Sequence, residues 1–295
     1  MGNQEMVPIK IFTLYYQEII TVVHIYCQSK PDFALKILQR LLNFLPKVSL
    51  TLKFKSQNVE SFRRTMESVE GVNEIKEIDF GYFFWHPDQV PHDELVKLIL
   101  EKSQRAKSLR VTVSTSDKFE YPTSGVPFKF DSVSMACTDW ISRDHFIELF
   151  LSCKKVELHW KDFDDEDLAA IFRAWTEGSA LKFLRFTGTD NFYQRKTLDN
   201  ILKEHPGAAP VKNALIQTEV FTRSHVETFG EGKCFLIQRN DAQTTALVCI
   251  LTQSIILTTD FKIGKEVDEM VARIEEERLI RQHPVDQNME EEDDD

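Results

Sequence analysis

Four residues of this 295-residue chain have the right types for a metal: Cys137, His145, Cys153 and His159. Thiolates and imidazoles are the usual ligands of a structural zinc, which needs four of them in a tetrahedron. The spacing argues otherwise. No Cys-x-x-Cys pair anchors the set, and each residue falls on a different expected element, so they read as core thiols and half-buried imidazoles. No metal or other cofactor is therefore expected. Asp162, Asp164 and Glu166 alternate as in a calcium loop, but the sixth position would be Asp167 instead of Gly and the twelfth Arg173 instead of Glu. Acids there suit a helix N-terminus better, where the dipole favours negative charge. A P-loop, a dinucleotide glycine fingerprint and a Gly-x-Ser-x-Gly elbow are all lacking. Asp139, His145 and His159 are the titratable groups an enzyme would have to bring together. The expectation is that the chain is not an enzyme. The most unusual local cluster is Tyr82, Phe83, Phe84 and Trp85, four aromatics in a proline-containing insertion. Such a cluster either plugs a core or forms a protein-binding hot spot, and these four are the candidate binding residues.

The elements around these residues follow a rhythm. Leu168, Ile171, Phe172 and Trp175 sit at i, i+3, i+4 and i+7, one apolar stripe of a helix. Asp164 is placed to cap that helix, and Gly178 to end it. Expected strands start near 50, 75, 108, 133, 155 and 182, with helices between. One interval is stretched by the aromatic insertion. A strand plus a helix at this period predicts an irregular leucine-rich-repeat-like β/α solenoid, with parallel strands on one face and helices on the other. An ordinary α/β sheet would have similar elements. After Pro210 the texture turns to antiparallel β, followed by a last helix. The division is a helical segment over 1–46, β/α repeats over 47–212, a β-hairpin part over 213–261, a C-terminal helix over 262–284, and a disordered acidic tail over 285–295.

Composition bounds the partners. Apolar residues make up 42% and charged residues 28%, ordinary for a folded chain, and 22 Phe against 6 Tyr predict aromatic-filled packing. The formal charge is −11. Removing the six acids Glu290 to Asp295 still leaves −5. An acidic balance argues against nucleic-acid and anionic-membrane binding. No apolar run approaches the roughly 20 residues needed to span a bilayer, and no export signal opens the sequence. Five scattered cysteines in apolar contexts suit a reduced intracellular protein, in the cytoplasm or the nucleus. A monomer is expected.

Several motifs in order carry a likeness. They are Leu109-Arg110-Val111-Thr112-Val113, Asp139-Trp140-Ile141, Cys153-Lys154-Lys155-Val156-Glu157-Leu158, Phe172 to Gly178 and Leu184, then Phe235-Leu236-Ile237-Gln238-Arg239-Asn240-Asp241. Together they resemble the type 2 F-box-associated domain of nematode F-box proteins, over about residues 100 to 261. Where that family usually has Gly after the Asp of the hairpin, this chain has Ala242. The Leu-Pro opening of an F-box is missing, and Leu14 to Lys30 carries only a faint echo of one. The resemblance implies a non-enzymatic interaction module, the substrate-recognition part of a Skp–cullin–F-box ubiquitin ligase. It also implies docking of a Skp adaptor through residues 1–46 and an unknown protein substrate. The alternative is a recognition scaffold or decoy that has lost the F-box and couples to no ligase.

Overall fold

Apolar and polar residues alternate in Leu109-Arg110-Val111, Val133-Ser134-Met135, Val156-Glu157-Leu158 and Leu184-Arg185-Phe186, and that pattern sends every second side chain to one face. In a computed structural model of the protein these segments lie side by side in one sheet. The structure describes residues 13–16, 19–22, 31–44, 49–54, 57–72, 74–80, 90–136, 138–188, 202, 207–220, 223–229, 234–251 and 253–282. The fold is mixed α/β, with six helices among the described residues and a large, mostly parallel sheet that is not closed.

The first described elements are two short strands, β1 (Thr13–Tyr16) and β2 (Ile19–Val22), paired antiparallel. They correct the helical expectation for 1–46, because Thr, Tyr and Ile at these positions favour extended backbone. The helix there is α1 (Pro31–Phe44), with Pro31 in its first turn, where a missing N–H costs nothing. Strands and helices then alternate: β3 (Ser49–Lys53), α2 (Val59–Ser68), β4 (Glu74–Phe80), α3 (Asp93–Lys102) and β5 (Ala106–Val111). Next come β6 (Ser132–Met135), then α4 (Arg143–His145) running into a π-turn over Phe146–Phe150, and β7 (Lys155–His159). The helix α5 (Asp165–Glu177) and β8 (Phe183–Thr187) close the series. Six strands, β3 to β8, pair in parallel in chain order.

Past β8 the sheet changes sense. The remaining strands are β9 (Ala209–Val211), β10 (Ala214–Val220), β11 (Arg223–Phe229), β12 (Cys234–Gln238), β13 (Thr245–Ile250) and β14 (Ser254–Thr258). β14 pairs antiparallel with β8, followed outward by β13, β12 and β9, giving ten strands in all. β10 and β11 form a separate hairpin, and α6 (Lys265–Gln282) follows β14.

The helices α1, α2, α3 and α5 cover one face of the sheet. Phe62 and Met66 of α2, Leu95 and Ile99 of α3, and Leu168, Ile171, Phe172 and Trp175 of α5 join Leu109, Val133, Val156 and Leu184 in one core. The core is rich in rings: Phe54 stacks on Phe80 at 4.6 Å, and Phe186 meets Phe163 at 4.9 Å and Phe146 at 5.2 Å. Leu38 of α1 is fully buried in the same core, so α1 is the first helix of this layer. A second, smaller cluster contains Cys234, Leu247, Cys249 and Ile256 with Ala214 and Ile216 of β10. Leu247 and Cys249 alternate with Ala246, Val248 and Ile250 of the main core, so this cluster covers the sheet's other face along its antiparallel half. That explains two textures. β13 and β14 are buried at nearly every position and read as continuous apolar runs, whereas β7 and β8 alternate.

Local signals position α5 as its sequence requires. The Asp164 carboxylate accepts from the Asp167 N–H at 2.8 Å, and Gly178 ends the helix at φ +150°, a backbone region open to glycine. The turn between β12 and β13 is tied down by Asp241, which accepts from the N–H groups of Gln243 at 2.9 Å and Thr244 at 3.1 Å. These bonds hold the Asp241 carboxyl below its ordinary range. Ala242 beside it has φ +54°, a left-handed conformation that costs a non-glycine residue about 1–2 kcal/mol. Replacing this exposed residue, Ala242→Gly, relieves that strain and loses part of the gain to unfolded-chain entropy. The expected result is a net stabilisation of about 0.5–1 kcal/mol, read as a higher urea midpoint. A lower midpoint would show that the methyl group matters more than the backbone.

Candidate functional site

Along the parallel half of the sheet, the face opposite the helices carries polar side chains. The register aligns Lys53, Asp79, Arg110, Ser134, Glu157 and Arg185 in one row across β3 to β8. One step toward the strand C-termini, His159 lies beside Thr187. One step the other way, Lys155 lies beside Phe183. The row ends at Ile256 of β14, where the second apolar cluster begins. The open face is thus a polar surface bounded by an apolar shoulder.

Two carboxylates of the row have cationic partners. Lys53 lies 3.7 Å from Asp79, which is only 4% exposed, and Lys155 lies 2.8 Å from Glu157. The Lys155 ammonium also sits over the Phe183 ring, 5.0 Å from its centre. His159 occupies the middle of the face. Its Nε2 lies 3.3 Å from the Ser134 hydroxyl and its Nδ1 3.3 Å from the Thr187 hydroxyl. Burial lowers the His159 pKa below its usual 6.5; Glu157 opposes that effect, and Arg185 and Arg110 add to it. A histidine held neutral in the native state must gain a proton it resists as pH falls. The unfolded chain binds more protons below 6.5, so stability from this group is complete above that pH and is lost as pH drops through the folded value. The melting temperature is expected to fall between pH 7 and pH 5 by less in His159→Gln than in the parent. Equal losses in the two proteins would clear His159 of the effect.

Immediately after His159, Trp160 has φ +61° and is 53% exposed. A bulky residue with positive φ is an outlier that the surrounding structure must enforce, and such outliers concentrate at functional sites. Periodicity gave no hint of it. The polar row rests on an apolar-polar-apolar triplet repeated in four strands, which the parallel register brings into line.

Among the residues singled out from sequence, the described ones His145, Cys153, His159 and Asp164 have separate hydrogen-bond partners. Tyr82, Phe83, Phe84 and Trp85 lie outside the described residues, as do Cys137 and the acids 290–295. His145 belongs to a different network from His159: its Nε2 donates to the Tyr121 carbonyl at 2.6 Å, its Nδ1 accepts from the Ser142 N–H at 3.3 Å, and its ring meets Trp140 edge-on. Cys153 is buried, its thiol donates to the Phe128 carbonyl at 3.5 Å, and burial pushes its pKa up to about 12. A thiol so placed stays protonated and unreactive. Among the described residues no group of three or more His, Cys, Asp or Glu could hold a metal ion. Asp164 serves as a helix cap, and burial together with the neighbouring Asp164 raises the pKa of Asp167. A depression of about 310 Å³ between α1 and α2, lined by Leu35, Lys36, Gln39, Arg64, Glu67 and Ser68, lies in the helical layer and gathers no catalytic set.

Two of the sequence motifs, Phe172 to Gly178 and Phe235 to Asp241, meet in space. The Arg239 guanidinium stacks over the Trp175 ring at 4.6 Å, and both side chains donate to the Leu181 carbonyl, Trp175 Nε1 at 3.0 Å and Arg239 Nη2 at 3.2 Å. The Asn240 N–H donates to the Thr176 carbonyl at 3.0 Å. The β12–β13 turn is therefore fastened to the end of α5. Among the described residues no helix is long and apolar enough to cross a membrane. Comparison with models of known families finds no match, and comparison with curated proteins finds none either.

Proposed function

We propose that this chain is a non-enzymatic protein-interaction module that works as a monomer in the cytoplasm or nucleus. It presents the open face of β3 to β8 to a protein partner. In this reading the β/α units are an irregular leucine-rich-repeat-like array whose helices supply the cover and whose strands supply the binding surface. One observation carries it: a row of polar side chains crosses six adjacent strands, and among the described residues α2, α3 and α5 pack on the opposite face. Area, not a pocket, is what the sheet offers, and protein recognition uses area. Trp160, half exposed at the strand ends beside this row, is the natural anchor.

A photo-crosslinking side chain tests this. Placed at Ser134 on the open face, it should capture a discrete partner in extract, while the same group at exposed Arg173 on α5 should not. Equal labelling at both positions, or none at either, removes the reading.

The likeness to the F-box-associated domain extends the proposal to the recognition part of a Skp–cullin–F-box ligase. Here the packing of α1 matters. Leu38 is part of the main core, so a truncation at residue 46 would remove core as well as any adaptor contact. Binding of the intact chain to a purified Skp-type adaptor is the cleaner measurement. Saturable binding supports the ligase role. Its absence, with crosslinking at Ser134 retained, leaves the scaffold or decoy.

A further inference from the structure

The open face holds two arginines that the fold does not use. Among the described residues neither Arg110 nor Arg185 has a hydrogen-bond or ion-pair partner, and the Arg185 Nε is buried without an acceptor. Both sit in the row that contains Ser134 and Glu157, separated by three strand spacings of roughly 4.8 Å each. Both guanidinium groups act electrostatically on His159, which lies on β7 between their strands.

The carboxylates on this side are accounted for. Asp79 is held by Lys53, and Glu157, beside Arg185 in the register, is ion-paired with Lys155 at 2.8 Å. Glu77 lies one strand beyond Arg110 and one row nearer the N-termini. What remains is a set of donors: two guanidinium groups and the hydroxyls of Ser134 and Thr187, arranged around an imidazole. A guanidinium left in a half-buried position without a counter-charge is costly, and its natural complement is a bidentate carboxylate. The chain as a whole is at −11, so general attraction does not explain an acidic ligand; only a local arrangement would.

We infer that Arg110, Arg185, Ser134, Thr187 and His159 form an anion subsite that takes the carboxylate side chains of an acidic peptide segment of a partner protein. This rests on the interaction-module reading and specifies its partner: the docked chain crosses the parallel strands with acidic residues over His159. Shape and register come from the sheet, and selection comes from pairing two otherwise unmatched charges.

The probe is a fluorescein-labelled octaglutamate peptide titrated into the full chain at low salt and followed by anisotropy, with an octaglutamine peptide as control. Saturable binding of the acidic peptide alone is expected. The double variant Arg110→Gln/Arg185→Gln should weaken it roughly tenfold or more, with partial rescue by Arg110→Lys/Arg185→Lys. Arg173→Gln, on the helical layer, should leave it unchanged. Circular dichroism melts confirm that each variant is folded, and Ser134→Ala offers a milder second test should the double variant melt early. Equal loss in Arg173→Gln, equal binding of octaglutamine, or no saturable binding overturns the subsite. So does binding that emerges only after residues 285–295 are deleted, which would assign the site to the chain's own acids. Crosslinking from Ser134 without peptide binding would sink this inference and leave the interaction module standing. Peptide binding without a crosslinked partner would leave the anion subsite but overturn its assignment to a partner protein, together with the interaction module.

Discussion

Trp175→Ala should lower the melting temperature by roughly 10 °C, from a loss of about 3–5 kcal/mol. The indole is fully buried and is the largest side chain in the core. Cavity formation alone accounts for most of that figure, but the position of Trp175 adds a second effect. Its ring is the platform for Arg239, whose guanidinium is desolvated enough to lower its pKa and whose Nε is buried without an acceptor. Without the ring, that charge loses its partner, and the Leu181 carbonyl loses one of its two donors. The variant should therefore loosen the β12–β13 turn, which also hangs on the Asn240–Thr176 hydrogen bond. A double-mutant cycle with Arg239→Met reads the coupling directly, and about 0.5–2 kcal/mol is expected. Additive losses would mean that the stacked pair is incidental, and amide exchange in residues 239–244 no faster than in the parent would say the same.

This coupling explains why the two stretches are informative together and weak apart. A helix with the stripe Leu168, Ile171, Phe172 and Trp175 occurs in many α/β chains, and a hairpin ending in Arg239-Asn240-Asp241 is ordinary too. Their contact across the sheet is a tertiary fact that spacing alone does not encode. What spacing did encode was the parallel series, because each strand alternates and each helix has one apolar stripe. It failed where neither signal is strong. Ala214–Val220 and Arg223–Phe229 mix apolar with polar residues and were not anticipated as a hairpin outside the main sheet. Thr13–Tyr16 and Ile19–Val22 lie in an apolar stretch whose composition admits helix or strand.

The site shows the same division. Chemistry-bearing residues attract notice by type, so Cys153, His145 and Asp164 stood out, yet the structure gives each a structural task. Arg110, Ser134 and Arg185 are unremarkable in sequence and matter only because register places them in one row. The repeated triplet contains that information, but only once the strands are known to be parallel and neighbouring. Trp160 was less accessible still, since its positive φ follows from how β7 exits the sheet and not from its neighbours in sequence.

Phe186→Ala should cost about 3–5 kcal/mol, and the shape of the unfolding curve matters as much as the midpoint. Phe186 lies on β8, the hinge between the parallel and antiparallel halves, and its ring touches Phe146 and Phe163 edge-on. The main core around it runs without a break from Leu38 of α1 to Leu257 of β14. In an array whose units contact only their neighbours, damage at one unit can uncouple the stretches on either side, because stability is a sum of unit and interface contributions. In a single cooperative body the same damage moves one transition intact. The continuous core and the ten-stranded sheet favour the second outcome, so urea unfolding of Phe186→Ala should stay a single transition with an unchanged m-value and a lower midpoint. Phe186→Leu, which keeps most of the volume, should lose much less. Two resolved transitions in the alanine variant, one following Trp175 fluorescence and another elsewhere, would instead reveal separable units, and the long open face would then be a chain of semi-independent contacts and not one rigid platform.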